Sequence, residues 1–88
     1  MNTIELSDGA LDWAVHIARR QAGLTLVDYS ANWQHAGPII EREKITICPN
    51  ATTWWAVHPD TELEVHGATP LEAAMRAYVH AKLGEELP

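Results

Sequence analysis

The residues of this chain best suited to holding a ligand are aromatic planes and guanidinium groups. Trp13, Trp33, Trp54, Trp55 and Tyr29 stand with Arg20, Arg42 and Arg76 among 88 residues. Indole rings stack on bases and arginines fork onto phosphates, so the set suits a nucleotide. The same residue types are enriched at protein interfaces, and composition alone keeps both uses open. Other chemistries have less behind them. The five histidines (16, 35, 58, 66 and 80) follow no metal-ligand spacing. His58 and His66 flank a possible hairpin, but zinc needs more ligands than the local sequence supplies. Cys48, between Ile47 and Pro49, reads as a buried, inert thiol. No serine elbow, phosphate loop or dinucleotide fingerprint occurs. Glu41 and Glu43 share one face if their segment is extended, where alternating solvent-facing charge is commoner than a working carboxylate pair. No catalytic residue, metal or cofactor is expected. The chain reads as a binding protein, not an enzyme.

The totals narrow the partners. A chain of 88 residues makes one domain, taken as residues 1–88, with room for one core. A hydrophobic content of 47% argues for a folded globule. No apolar run approaches the roughly 20 residues needed to span a bilayer, and the start of the chain lacks a signal-peptide pattern. One cysteine allows no internal disulfide, so a soluble, cytoplasmic protein is expected. The net charge of −6 sets six basic residues against twelve acidic ones. Binding along a phosphate backbone would need nearly all that positive charge on one face, so a nucleic-acid partner is not expected. A small anion held by one or two arginines, or a basic protein, fits better.

The elements that must position these residues follow from pattern. Thr3–Leu6 reads as a lead-in strand. Ser7 caps a helix running from Asp8 to Ala22, with Gly23 beyond its end. Leu11, Ala14, Val15, Ala18 and Ala22 form its apolar stripe; Trp13 and Arg20 stand off it. Leu24–Tyr29 alternates as a strand. Gly37-Pro38 predicts a turn, followed by the charged run Glu41-Arg42-Glu43-Lys44 leading into a strand over Lys44–Cys48. Pro49-Asn50 predicts another turn, Thr52–His58 a strand and Leu63–His66 a short one. Strand alternation puts Trp54 and Trp55 on opposite faces, so at most one enters the core comfortably. Thr69-Pro70-Leu71-Glu72 is a capping box with proline at the first helical position, and Gly84 follows the last periodic residues. Leu71, Ala74, Met75, Tyr78 and Val79 make the core face of that closing helix. Small residues at 73, 77 and 81 would let another backbone approach, with Arg76 beside it and Glu72 within salt-bridge spacing. The expected fold is α+β: an antiparallel meander of three to five strands with an N-terminal and a C-terminal helix packed on one face.

Several stretches carry a resemblance. Leu11-Asp12-Trp13-Ala14-Val15, Tyr29-Ser30 with Trp33, Gly37-Pro38-Ile39-Ile40-Glu41-Arg42-Glu43-Lys44-Ile45, and Thr69 through Arg76 to Lys82-Leu83-Gly84 resemble the NinX family of small lambdoid-phage proteins. The chain is shorter than many relatives between Ala22 and Tyr29 and around residues 49–68. The helix tryptophan and the Ala-Ala-Met-Arg segment are also similar to the first class of phage Thoeris anti-defence sponges, homo-oligomers that sequester cyclic ADP-ribose-type signals. That resemblance implies that Trp13 and Arg76 line a nucleotide site, with Arg42 a candidate for phosphate; beside it, the aromatic inventory offers one of Trp33, Trp54 or Trp55 as a second stacking plane. The resemblance implies a non-catalytic anti-defence protein. The alternatives are an inhibitor that docks on a host defence complex, and a recombination accessory factor.

Overall fold

The computed structural model describes residues 2–19 and 28–85. Among these, a 3₁₀ turn (Thr3–Glu5) leads into helices α1 (Asp8–Ala18) and α2 (Trp33–Glu43). Strands β1 (Thr46–Asn50), β2 (Thr53–Val57) and β3 (Val65–Gly67) follow, and helix α3 (Pro70–Leu83) comes last. The strands form an antiparallel meander in the order β1-β2-β3, with Ile47 opposite Ala56 and Trp54 opposite Gly67. The fold is α+β, as the pattern of elements predicts.

Helix α3 is the centre. Its start is specified locally: the Thr69 hydroxyl accepts from the Glu72 N–H, Pro70 occupies the first turn, and a Glu72 carboxylate oxygen accepts from the Ala68 N–H. It packs against all three strands on one side and against α1 on another. Leu71, Ala74, Met75, Tyr78 and Val79 are buried as expected, and Ala73 and Ala77 are buried too. A helix apolar nearly all round belongs inside. The backbone admitted by its small residues is that of β3: a Cβ added at Gly67 would lie 2.5 Å from the Ala73 nitrogen.

The sheet has one covered face. Ala56 and Val65 are buried beneath α3, and Trp54 packs against the same core. Trp55, Cys48 and His66 share a row on the opposite face, over which no described helix packs. The split between Trp54 and Trp55 follows the alternation. Cys48 is only half-buried, because its register places it on the open side instead of in the core. Pro49 lies within β1, not in a turn; among the described residues β1 is an edge strand, where a sheet tolerates a residue without an N–H. The turn falls at Ala51-Thr52, with Ala51 at a φ of 45°.

The largest correction concerns Gly37-Pro38. These residues lie inside α2, with no turn between Trp33 and Glu43. Asn32 accepts from the Gln34 N–H and caps the helix. Ala36 and Ile39 then fall three residues apart on the buried side. Proline forfeits one helical hydrogen bond at a cost of roughly 3 kcal/mol in an interior, and burial of this face offsets that cost. At the other end, Lys44 adopts a left-handed φ of 58°, and the Ile45 N–H donates to the Ile40 carbonyl, a Schellman closure made without glycine. Because the segment is helical, Glu41 and Glu43 do not share a face. Thr3–Glu5 is a 3₁₀ turn, not a strand; the Thr3 hydroxyl donates to the Gly84 carbonyl at 2.7 Å and so joins this turn to the end of α3. Helix α1 ends at Ala18. Arg20, Ala22, Gly23 and most of the expected strand Leu24–Tyr29 lie outside the described residues. Tyr29 itself is in a turn.

Candidate functional site

The three helices run in the same sense, so their ends gather. The last residues of α1 (Ile17, Ala18, with Arg19 as its cap), of α2 (Arg42, Glu43) and of α3 (Tyr78, Lys82, Leu83) line a cavity of about 460 Å³. Three of the chain's six lysines and arginines therefore meet at one place in a protein of net charge −6. At the opposite end, Asp8, Trp33 and the Thr69–Glu72 turn, together with Ser30 and Ala31, line a second cavity of about 410 Å³.

Glu43 organises the cation-lined cavity. One carboxylate oxygen lies 3.0 Å from the Lys82 ammonium and 2.9 Å from His58 Nε2; the other lies 3.3 Å from Arg42 Nε. His58 is 2% exposed, and its Nδ1 accepts from the Asp60 N–H. That bond assigns the proton to Nε2, so the ring donates to Glu43 and holds it in place. The His58 hydrogen bond, with help from Lys82 and Arg42, brings the Glu43 pKa down to about 2. Arg42 remains well exposed beside it. Arg19 donates to the hydroxyl of buried Tyr29 at 2.9 Å, which orients its guanidinium.

Tyr78 is 2% exposed and contributes to the cavity wall. Burial, and then the Glu43 charge, push its pKa above the ordinary phenol value, so at neutral pH it is a hydroxyl able to donate. Among the described residues, none is hydrogen-bonded to that hydroxyl. The cavity thus offers one donor hydroxyl and three cations, two of them sharing the single Glu43 carboxylate and the third, Arg19, bonded to the Tyr29 hydroxyl.

The residues singled out from sequence divide over three regions. Trp13 and Arg42 belong near this cavity. Trp13 is 50% exposed and stands one helical turn before the wall residue Ile17, with its ring stacked on His16 at 5.8 Å. Trp33 lines the second cavity and is 53% exposed. Arg76 adjoins that end through Glu72, but its guanidinium is committed to the scaffold. Its Nε donates to the Leu6 carbonyl at 2.6 Å and its Nη1 to the His66 carbonyl at 2.8 Å, with Glu72 3.4 Å away. Trp55 lies on the open sheet face between Cys48 and His66.

Arg19, Lys82, Tyr78 and Glu43 are the cavity residues that the sequence reading passed over as ligand groups. One signal was available: a basic residue stands at or near the end of each helix, where it complements the negative end of the helix dipole. Each looks like an ordinary capping charge until the three ends are seen to converge. Among the described residues, no group of three histidine, cysteine or acidic side chains is placed to hold a metal ion. No described helix is long and apolar enough to cross a membrane.

No curated protein matches this sequence. The family model described as Bacteriophage P22, NinX, matches residues 25–82. That span holds α2, the described sheet and α3 up to Lys82, and so includes the cavity residues Arg42, Glu43, Tyr78 and Lys82 but not those of α1 or Leu83. The chain belongs to the phage P22 NinX family.

Proposed function

We propose that this phage accessory protein binds a small phosphate-bearing nucleotide and acts by sequestering it, without catalysis. The signal it removes is of the cyclic ADP-ribose type used in host immunity, so the outcome is blunted defence. The observation that carries this reading is the gathering of Arg19, Arg42 and Lys82 around one cavity in an otherwise acidic chain. Part of that charge answers three helix C-termini, each equivalent to roughly half a negative charge. Dipole complementation does not account for Tyr78, a nearly buried phenol in the cavity wall. A phosphate group there would accept from the hydroxyl and from the cations at once. The base or ribose would then stack on Trp13, one turn along α1. Trp33, Trp55 and Arg76 stand away from this cavity, and they enter a ligand site only as the contribution of a second copy in a homo-oligomer.

The test is calorimetric titration of the purified protein with adenosine diphosphate and with cyclic ADP-ribose, paired with native mass spectrometry for stoichiometry. Saturable binding with one nucleotide per cavity, weakened more than tenfold by Arg42→Met, supports the reading. Binding that ignores Arg42 removes it.

A second reading has an observation of its own. Trp13 and Trp33 are each at least half exposed, and large exposed aromatics are typical anchors of protein interfaces. An acidic protein docking through them onto a basic host complex would lose affinity as salt is added, and would take up no nucleotide.

A further inference from the structure

The cation-lined cavity already contains an anion. Glu43 reaches Lys82 and Arg42 at 3.0 and 3.3 Å, so in the free protein two of the three cations face a resident carboxylate. A ligand phosphate has to take those donors from Glu43. The competition is intramolecular, because the carboxylate is tethered to α2 and held by His58 at 2.9 Å. A tethered group competes at an effective concentration of roughly millimolar or more, whatever the amount of free anion in solution. A singly charged ligand offers the cations no more than Glu43 already does. A ligand with two negative charges and several acceptor oxygens offers more, both in Coulomb energy and in forked hydrogen bonds to guanidinium.

Resting on the nucleotide-binding reading above, we infer that Glu43 is the specificity residue of this cavity, a built-in competitor that admits diphosphates and terminal phosphate dianions and turns away monoanionic phosphodiesters. The arrangement lets the carboxylate give up Lys82 and Arg42 without being stranded, since the His58 Nε2–H remains bound to it. His58 is itself secured by the Asp60 N–H, so the Glu43–His58 pair stays as a unit when the cations turn to the ligand. Arg19 lies outside this exchange because it is held by Tyr29, and it serves as the cation that first meets the incoming phosphate.

The experiment compares adenosine diphosphate with 3′,5′-cyclic adenosine monophosphate, which share a base and differ in charge. In the unaltered protein the diphosphate binds at least ~100-fold tighter, a gap of about 2.7 kcal/mol. Glu43→Gln, which keeps shape and hydrogen-bonding capacity, narrows that ratio to within ~10-fold by admitting the monoanion. An unchanged ratio in a folded Glu43→Gln protein overturns the inference while leaving the nucleotide-binding reading intact. Failure of the unaltered protein to bind the diphosphate at all overturns both. A measurement on the unaltered chain covers the case in which the variant does not fold. Saturating diphosphate should raise the Glu43 pKa from about 2, read by carboxyl NMR, as its cationic donors leave. A pKa that stays near 2 with ligand bound means that Glu43 was never displaced, and sinks the inference.

Discussion

The two ends of the three-helix layer have opposite character. At the C-terminal end, Arg19, Arg42 and Lys82 surround a cavity, and among the described residues Glu43 is the one carboxylate paired with them. At the N-terminal end, the polar groups of α2 and α3 are tied into the scaffold: Asn32 and Thr69 cap their helices, Glu72 serves both Ala68 and Arg76, and Arg76 joins two other backbone segments. Ser7, by contrast, makes no side-chain cap on α1. Both ends have a hollow of similar size and an exposed tryptophan close by. What separates them is whether the charges have been used. A guanidinium whose donors go to backbone carbonyls holds the fold together; one that stands in solvent beside a cavity can be recruited by a ligand.

The two arginines should therefore fail in different ways, and this contrast carries the largest effect. Arg76→Met leaves the Leu6 and His66 carbonyls without their donor, and urea unfolding should show a loss of about 2–4 kcal/mol. Arg42→Met should cost about 0.5 kcal/mol or less, because its pair with Glu43 is solvent-exposed. Equal losses from the two variants would erase the distinction between the ends. Next in size is the tryptophan pair. Trp13→Ala should weaken nucleotide binding by about 1–2 kcal/mol, the worth of one stacked base, and Trp33→Ala should leave it unchanged. If Trp33 matters and Trp13 does not, the ligand lies at the other end.

Acid should act on the C-terminal end through Glu43. Glu43 titrates at about 2 in the fold against an ordinary 4.5, so the stability it contributes is complete above pH 4.5 and disappears as the pH falls towards 2. Thermal melts over that range should show a steeper decline for the unaltered protein than for Glu43→Gln. Parallel declines would mean that the ionised carboxylate contributes nothing to the fold. The smallest expected effect sharpens the local picture of α2. A Cβ at Gly37 meets nothing within 4 Å, so Gly37→Ala should stabilise the helix by about 0.5–1 kcal/mol. A turn requiring a positive φ at that residue would be destabilised instead.

Helix α3 was legible because its instructions are local: Thr69, Pro70, Glu72 and Gly84 each sit at the position where a helix start or stop wants them. Strands β1 to β3 could be read within two residues, since alternation survives in short segments. Helix α2 was hidden for the converse reason. Gly37-Pro38 is a strong breaker signal, and only the burial of Ala36 and Ile39 against the rest of the chain overrides it. The stop at Lys44 gave no warning either, because a left-handed lysine has no sequence signature. Of the cavity residues, Arg42 was visible as a possible phosphate ligand. Its companions Arg19 and Lys82 come from helices far apart in sequence, and no spacing along the chain announces that three helix ends will meet. Arg76 misled for a related reason. An arginine looks the same in sequence whether it awaits a ligand or is already spent on two carbonyls.

Pro49 has a consequence at the level of the cell. Abundance penalises any chain with a free sheet margin, and among the described residues β1 is such a margin. Unpaired strands at high concentration zip onto one another into insoluble ladders. A proline inside the margin strand β1 removes a donor from that template. For a chain that acts by sequestration, as proposed above, this proline should slow edge-to-edge association at high concentration.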